Sequence, residues 1–223
     1  MGIERVWVVV DSPAGSPRRV GLELLTAARR VAAVVEAVHW GSGVDAVAPE
    51  LGRYGASRVL SVGDLGAVLP GVPVAAAMAA RVAGGDGPDA VFLATTHDQR
   101  DVAGRLSARL DRPVLTNAVG LADGGGLVAE HAVFGGSTFV RARITAPPPH
   151  LVVFRPRSFA AEPLEVGLDP AVELLPVPDT GPAGRATVRR RVVAEAGEAD
   201  LDEAAVVVAG GRGVGGSSGF EMV

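Results

Sequence analysis

The feature that most constrains this chain is its alternation between short, unbroken apolar runs and longer amphipathic stripes. Val6-Trp7-Val8-Val9-Val10 and Ala90-Val91-Phe92-Leu93-Ala94 contain no charged or hydrogen-bonding aliphatic side chain. Runs without polar alternation suit strands covered on both faces, as in a parallel sheet flanked by helices. Val20, Leu24, Ala27, Val31, Val34 and Val38 recur at steps of four and three, the spacing of one helical face. A strand over Ala37–Trp40, a short helix over Asp45–Tyr54 and a strand over Arg58–Val62 follow. Val72, Ala75, Ala76, Ala79 and Val82 mark another helix, which Gly84-Gly85-Asp86-Gly87-Pro88 stops. Val102, Ala103, Leu106 and Leu110 stripe the next, before a strand at Val114–Thr116. Strand–helix units of roughly 30 residues predict βαβ connections and a mainly parallel sheet flanked by helices, an α/β fold.

Beyond Thr116 the pattern changes. Ser137–Ile144 and His150–Phe154 read as strands with no helix between them, joined through Ala146-Pro147-Pro148-Pro149. They are expected as antiparallel strands on the sheet's edge. Pro176, Pro178, Gly181 and Pro182 then cluster, and Arg189-Arg190-Arg191 precedes Glu195, Glu198, Asp200, Asp202 and Glu203. That stretch reads as a final strand (Thr187–Val193) and a linker. Val206-Val207-Val208-Ala209 is again a strand-like run, entering Gly210-Gly211-Arg212-Gly213. The expected organisation is an α/β domain over 1–184, a strand and linker over 185–205, and over 206–223 the first strand and glycine-rich loop of a truncated nucleotide-binding lobe.

Composition removes whole classes of chemistry. The 223 residues include no cysteine, which excludes disulfides, thiolate metal sites and cysteine nucleophiles. All 21 basic residues are arginine, so no lysine exists to form a Schiff base or a Walker-type phosphate contact. A net charge of −4 argues against a nucleic-acid partner. No apolar run approaches the ~18 residues of a membrane helix, and Val6–Val10 is too short for a signal segment. These features predict a cytoplasmic chain without membrane insertion.

Gly211-Arg212-Gly213-Val214-Gly215-Gly216 fits G-x-G-x-x-G, yet a dinucleotide fingerprint also needs a following helix and a distant acid, and neither follows. Gly215-Gly216-Ser217-Ser218-Gly219 fits G-x-S-x-G, but no strand leads directly into it and no histidine follows, which rejects a hydrolase elbow. His39, His97, His131 and His150 share no metal-ligand spacing. Thr95–Asp101 lies where a parallel strand meets a helix, an edge at which such sheets bind ligands; helix capping by Thr96 or Asp98 is the simpler reading.

Three separated segments resemble the alpha subunit of electron-transfer flavoproteins. The first runs from His97 through Asp101–Leu110 to Leu115-Thr116-Asn117 and is similar to the family's Arg-Leu-Ala-Ala-Arg-Leu leading to Thr-Asp. The second, Phe134-Gly135-Gly136 with Phe154-Arg155-Pro156-Arg157-Ser158-Phe159, resembles Tyr-Gly-Gly followed by Thr-Arg-Pro-Gly-x-Phe. The third, Asp200–Ala205 with Val206–Gly213 and Phe220, is similar to Leu-x-x-Ala, Val-Val-Ser-Gly-Gly-Arg-Gly and Glu-Asn-Phe. Asn117, Arg157, Ala209 and Ser218-Gly219 depart from the pattern, and the family's later FAD-lobe motifs are absent.

The resemblance implies an α/β domain of the adenine nucleotide alpha hydrolase type, packed against a beta subunit in a heterodimer. It implies an FAD electron carrier, serving acyl-CoA and related dehydrogenases of fatty acid beta-oxidation and passing electrons to a quinone reductase. It implies a carrier with no catalytic acid, base or nucleophile of its own. Within this chain it carries over only Arg212, with Gly211 and Gly213, as flavin-binding residues. A guanidinium on a glycine-rich turn can approach a flavin or its phosphates. With so little of the lobe present, FAD is expected to bind weakly or not at all. The segment Phe134–Phe159, rich in phenylalanine and arginine, is the candidate subunit interface, the alternative being that its phenylalanines fill this domain's own core. The alternative reading is a nucleotide-binding or hydrolysing protein using the loops at Asp11–Ser16 and Thr95–Asp101.

Overall fold

The computed structural model describes residues 2–13, 15–122, 126–190, 204 and 206–222. The chain divides into two compact units, Met1–Arg190 and Arg191–Val223. In the first, β1 (Ile3–Asp11), α1 (Arg19–Ala28), β2 (Ala32–Trp40), α2 (Val44–Arg53), β3 (Arg58–Ser61), α3 (Gly71–Ala83), β4 (Ala90–Ala94), α4 (His97–Leu110) and β5 (Val114–Ala118) alternate along the chain. Three short strands follow, β6 (Gly120–Ala122), β7 (Val128–Val133) and β8 (Thr138–Ala142), and then β9 (His150–Phe154) and β10 (Ala171–Leu174).

Seven strands form one sheet in the order β10-β3-β2-β1-β4-β9-β5, and every pairing in it is parallel. The long apolar run of β1 sits at its centre because both of its faces are covered. Val6, Val8 and Val10 pack in one core with residues of α1 and α2, while Trp7 and Val9 pack in the other with residues of α3 and α4. The period of two along a strand divides consecutive valines between these layers. Each fully buried Val contributes roughly 1.5–3 kcal/mol relative to exposure, so the unbroken run holds the two layers together.

Two expectations are corrected. The helical stripe of Val20 to Val38 ends at Ala28, and Val34 and Val38 belong to β2. The five consecutive residues Val35–His39 are all buried, with Val35 and Ala37 facing one core and Val38 the other, a two-sided burial that one helical stripe cannot provide. The second correction concerns His150–Phe154. It is no antiparallel edge strand but lies inside the sheet, parallel to β4 and β5. Its unbroken apolar run requires cover on both faces, and the chain returns to the sheet's N-terminal edge before entering it. Arg112, just before β5, donates to the Pro148 carbonyl at 3.2 Å, and the His150 N–H donates to the Asp89 carbonyl at 2.8 Å. Thr138–Ala142 is antiparallel as expected, but in a separate small sheet of order β6-β7-β8.

At the sheet's N-terminal edge, charges link layers. Glu36, buried in β2, accepts from the Trp7 indole N–H at 2.8 Å and from Arg58 Nε at 2.9 Å. Arg58 and Arg81 both donate to Glu173, at 2.8 and 2.6 Å, joining β3 and α3 to β10. These arginines hold the Glu173 carboxyl below its usual range.

Of the expected final strand, Thr187 forms one antiparallel bridge with Val68, and residues 191–193 lie outside the described residues, as does most of the expected linker. In the second unit Val206–Ala209, expected as a strand, has no strand geometry among the described residues. Among the described residues no strand pairs with this run, so its backbone N–H and C=O groups enter no ladder there.

Candidate functional site

The C-terminal edge of the parallel sheet is where open α/β folds place ligands, in the crevice where successive helices switch faces. Here the switch falls between β1 and β4, because α1 packs on one core and α4 on the other. Side chains of the Asp11–Ser16 and Thr95–Asp101 loops meet at this crevice. Buried Gln99 donates through Nε2 to Asp11 Oδ1 at 2.8 Å and accepts the Ala94 N–H through Oε1 at 2.7 Å. Arg18 Nε donates to Asp11 Oδ2 at 2.9 Å. A buried carboxylate already satisfied by an amide and a guanidinium opposes an incoming phosphate. The geometry therefore disfavours a nucleotide in the crevice where the Asp11–Ser16 and Thr95–Asp101 loops meet at the Asp11 carboxylate. The simpler reading of the second loop holds: Thr96 caps α4, its side-chain oxygen accepting the Gln99 N–H at 3.3 Å. The Asp11–Gln99 pair was hidden in the sequence, since its partners stand 88 residues apart.

His39, fully buried at the end of β2, lies 3.2 Å from the Ser12 hydroxyl through Nε2, while its Nδ1 has no hydrogen-bond partner among the described residues. Burial pushes its pKa down to about 4, against a smaller opposing pull from Asp11. The other histidines lie apart: His97 opens α4 on the surface, His131 sits in β7 and His150 begins β9. No group of three or more His, Cys, Asp or Glu side chains able to hold a metal occurs among the described residues.

The segment Phe134–Phe159 divides between core and surface. Phe154 is buried, stacked edge-on between Phe92 and Phe159 with ring centroids at 5.0 and 5.4 Å. Phe134 is 84% and Phe139 63% exposed, and Val140 is exposed beside them. These three sit on or next to β8, the outer strand of the small sheet, where Arg141 Nε donates to Glu130 Oε1 at 2.9 Å. After β9 the chain is held to α1: the Arg157 N–H donates to Glu23 Oε2 at 2.7 Å, and Arg30 Nη2 donates to Glu162 Oε2 at 2.8 Å.

In the second unit, Gly211, Arg212 and Gly213 form an exposed turn. Gly211 precedes a short 3-10 turn over Arg212–Val214, and the Val214 N–H donates to the Gly211 carbonyl at 3.0 Å. A Cβ built on Gly211 or Gly213 meets nothing within 4 Å, so the backbone here is open to close approach. A Cβ on Gly210 would stand 2.7 Å from the Phe220 ring and from Val214, which shows how the segment folds back on itself. This arrangement suits one edge of a flavin or phosphate site: an open backbone and one guanidinium. It is not a pocket by itself.

Comparison with known proteins agrees with the sequence resemblance. The family model described as "Electron transfer flavoprotein domain" matches residues 6–209. The chain is 35% identical to the electron transfer flavoprotein subunit alpha of Mycobacterium leprae over 222 residues, covering 97% of this chain and 67% of the relative. It is 33% identical to the subunit alpha of Syntrophomonas wolfei, covering 97% of this chain and 68% of that relative. With the FixB protein of Clostridium saccharobutylicum it shares 28% identity over 98% of its length and 67% of the relative's. A matching model over most of the chain, the relatives' identity and the α/β fold converge: this chain belongs to the electron transfer flavoprotein family, where it corresponds to the N-terminal domain of the alpha subunit.

Proposed function

We propose that this chain acts in a flavin electron carrier as an alpha-subunit module, paired with a beta subunit and dependent on a fuller C-terminal lobe for FAD. It takes no part in bond making or breaking on an organic substrate; acyl-CoA dehydrogenases and related enzymes are its donors and a quinone reductase its acceptor. The observation that carries the pairing is the exposed apolar group Phe134, Phe139 and Val140, on and beside the outer strand of the small sheet. Exposed apolar patches bordered by polar residues commonly mark association sites.

The Gly211–Gly213 turn supports a flavin-side role. Bound FAD supplies the redox chemistry; Arg212 contributes positive charge at the edge of its site, and the glycines permit close backbone approach. The 223-residue chain alone is expected to bind FAD weakly, because a dinucleotide requires a pocket enclosing most of its surface. Mixing the chain with a cognate beta subunit and following mass by light scattering tests the pairing. A heterodimer that Phe139→Glu weakens supports it, while a wild-type chain that stays monomeric, or unchanged binding by a folded Phe139→Glu chain, overturns it.

A further inference from the structure

A cleft of about 340 Å³ opens at the C-terminal edge of the sheet beside α4, on residues other than Asp11 and Gln99. Its lining places Thr95, Arg100, Thr116 and Asn117 around an apolar base of Ala103, Val114 and Val153. Such a volume falls within the range of small-molecule sites, and a few convergent polar groups over an apolar base is their usual make-up.

The local backbone explains why the polar groups converge. The pairing of β5 with β9 shifts register between Leu115 and Ala118, and Asn117 takes a left-handed φ of 58°. Asparagine tolerates that conformation better than most residues. The bulge turns Thr116 and Asn117 out of the ladder and onto the cleft. Arg100, in the second turn of α4, meets them from the other side. Among the described residues no carboxylate or carbonyl accepts from its guanidinium; its neighbour Asp101 is already engaged by Arg105 at 2.8 Å. Gly104, one helical turn further on, also lines the cleft, and a Cβ there would meet nothing within 4 Å. Two hydroxyls, an amide and an unpaired guanidinium with no acid among the lining residues make a setting for a negative charge.

We propose that this cleft binds a small molecule bearing a terminal oxyanion, a phosphate ester or a carboxylate, on a compact apolar body. Arg100 pairs with the oxyanion, Thr95, Thr116 and Asn117 hydrogen-bond around it, and Ala103, Val114 and Val153 receive the apolar part. The proposal does not depend on flavin or on the beta subunit.

The test titrates the full chain with phenyl phosphate and, separately, with benzoate, using benzyl alcohol as the uncharged control and amide NMR shifts as the readout. Saturable shifts at Thr95, Arg100, Gly104 and Thr116 with either anion support the proposal, and the anion with the lower Kd identifies which oxyanion the site prefers. Three variants check the geometry. Arg100→Gln removes the counter-charge. Asn117→Asp keeps the shape and the left-handed backbone but adds a negative charge, and Gly104→Leu fills the open space. Each should weaken binding at least about tenfold while circular dichroism stays native. Absence of saturable binding by both anions, equal binding of benzyl alcohol, or undiminished affinity in folded Asn117→Asp and Gly104→Leu chains would overturn it.

Discussion

Replacing His39 by glutamine should flatten the acid sensitivity of the fold between pH 7 and pH 5. The imidazole is buried against Ser12, with one ring nitrogen unpartnered among the described residues, and burial lowers its pKa from 6.5 to about 4. A neutral buried histidine costs nothing above the unfolded value. Between the two values the unfolded chain takes up a proton that the folded chain refuses, so stability falls as pH drops from about 6.5 and the penalty levels off below about 4. With those values, linkage gives a loss of about 2 kcal/mol between pH 7 and pH 5 from this residue alone. Glutamine retains a polar group toward Ser12 but does not titrate. At pH 7 the variant should be less stable than wild type, by about 1–2 kcal/mol for the lost ring packing. At pH 5 that deficit should shrink or reverse by about 2 kcal/mol. Urea denaturation of both proteins at the two pH values measures this double difference, in which all other titrations cancel. If both chains lose the same stability between pH 7 and pH 5, His39 does not remain neutral in the fold and the reasoning fails.

Two further perturbations probe how the layers are joined. Glu36→Ala strands the buried Trp7 indole N–H and leaves a void, so urea denaturation at pH 7 should show a loss of about 2–4 kcal/mol; a loss under 1 would mean the indole finds another acceptor. Gly52→Ala should destabilise by about 1–3 kcal/mol on a thermal melt and loosen residues 164–170. Its Cβ would stand 2.2 Å from the Leu168 carbonyl oxygen, a backbone atom that cannot swing aside; an unchanged melt would show that the loop over α2 moves freely.

What the sequence determined by itself is the layered α/β plan. Unbroken runs such as Val6–Val10 and Ala90–Ala94 can only be strands covered twice, and the helical stripes between them supply the cover. Tertiary structure decided what local pattern leaves open. Val34 and Val38 fit a helical stripe as well as a strand, and only burial on both faces of β2 assigned them. The direction and place of His150–Phe154 depended on where the chain re-entered the sheet, which is set by contacts at Asp89 and Arg112 far away in sequence. The pairing of Asp11 with Gln99, and the opening of the cleft at Arg100 and Asn117, arise from side chains that meet only once the strands are aligned. Periodicity records which face a residue shows; it holds no information about which distant residue that face will meet, and function at a sheet edge depends on the second.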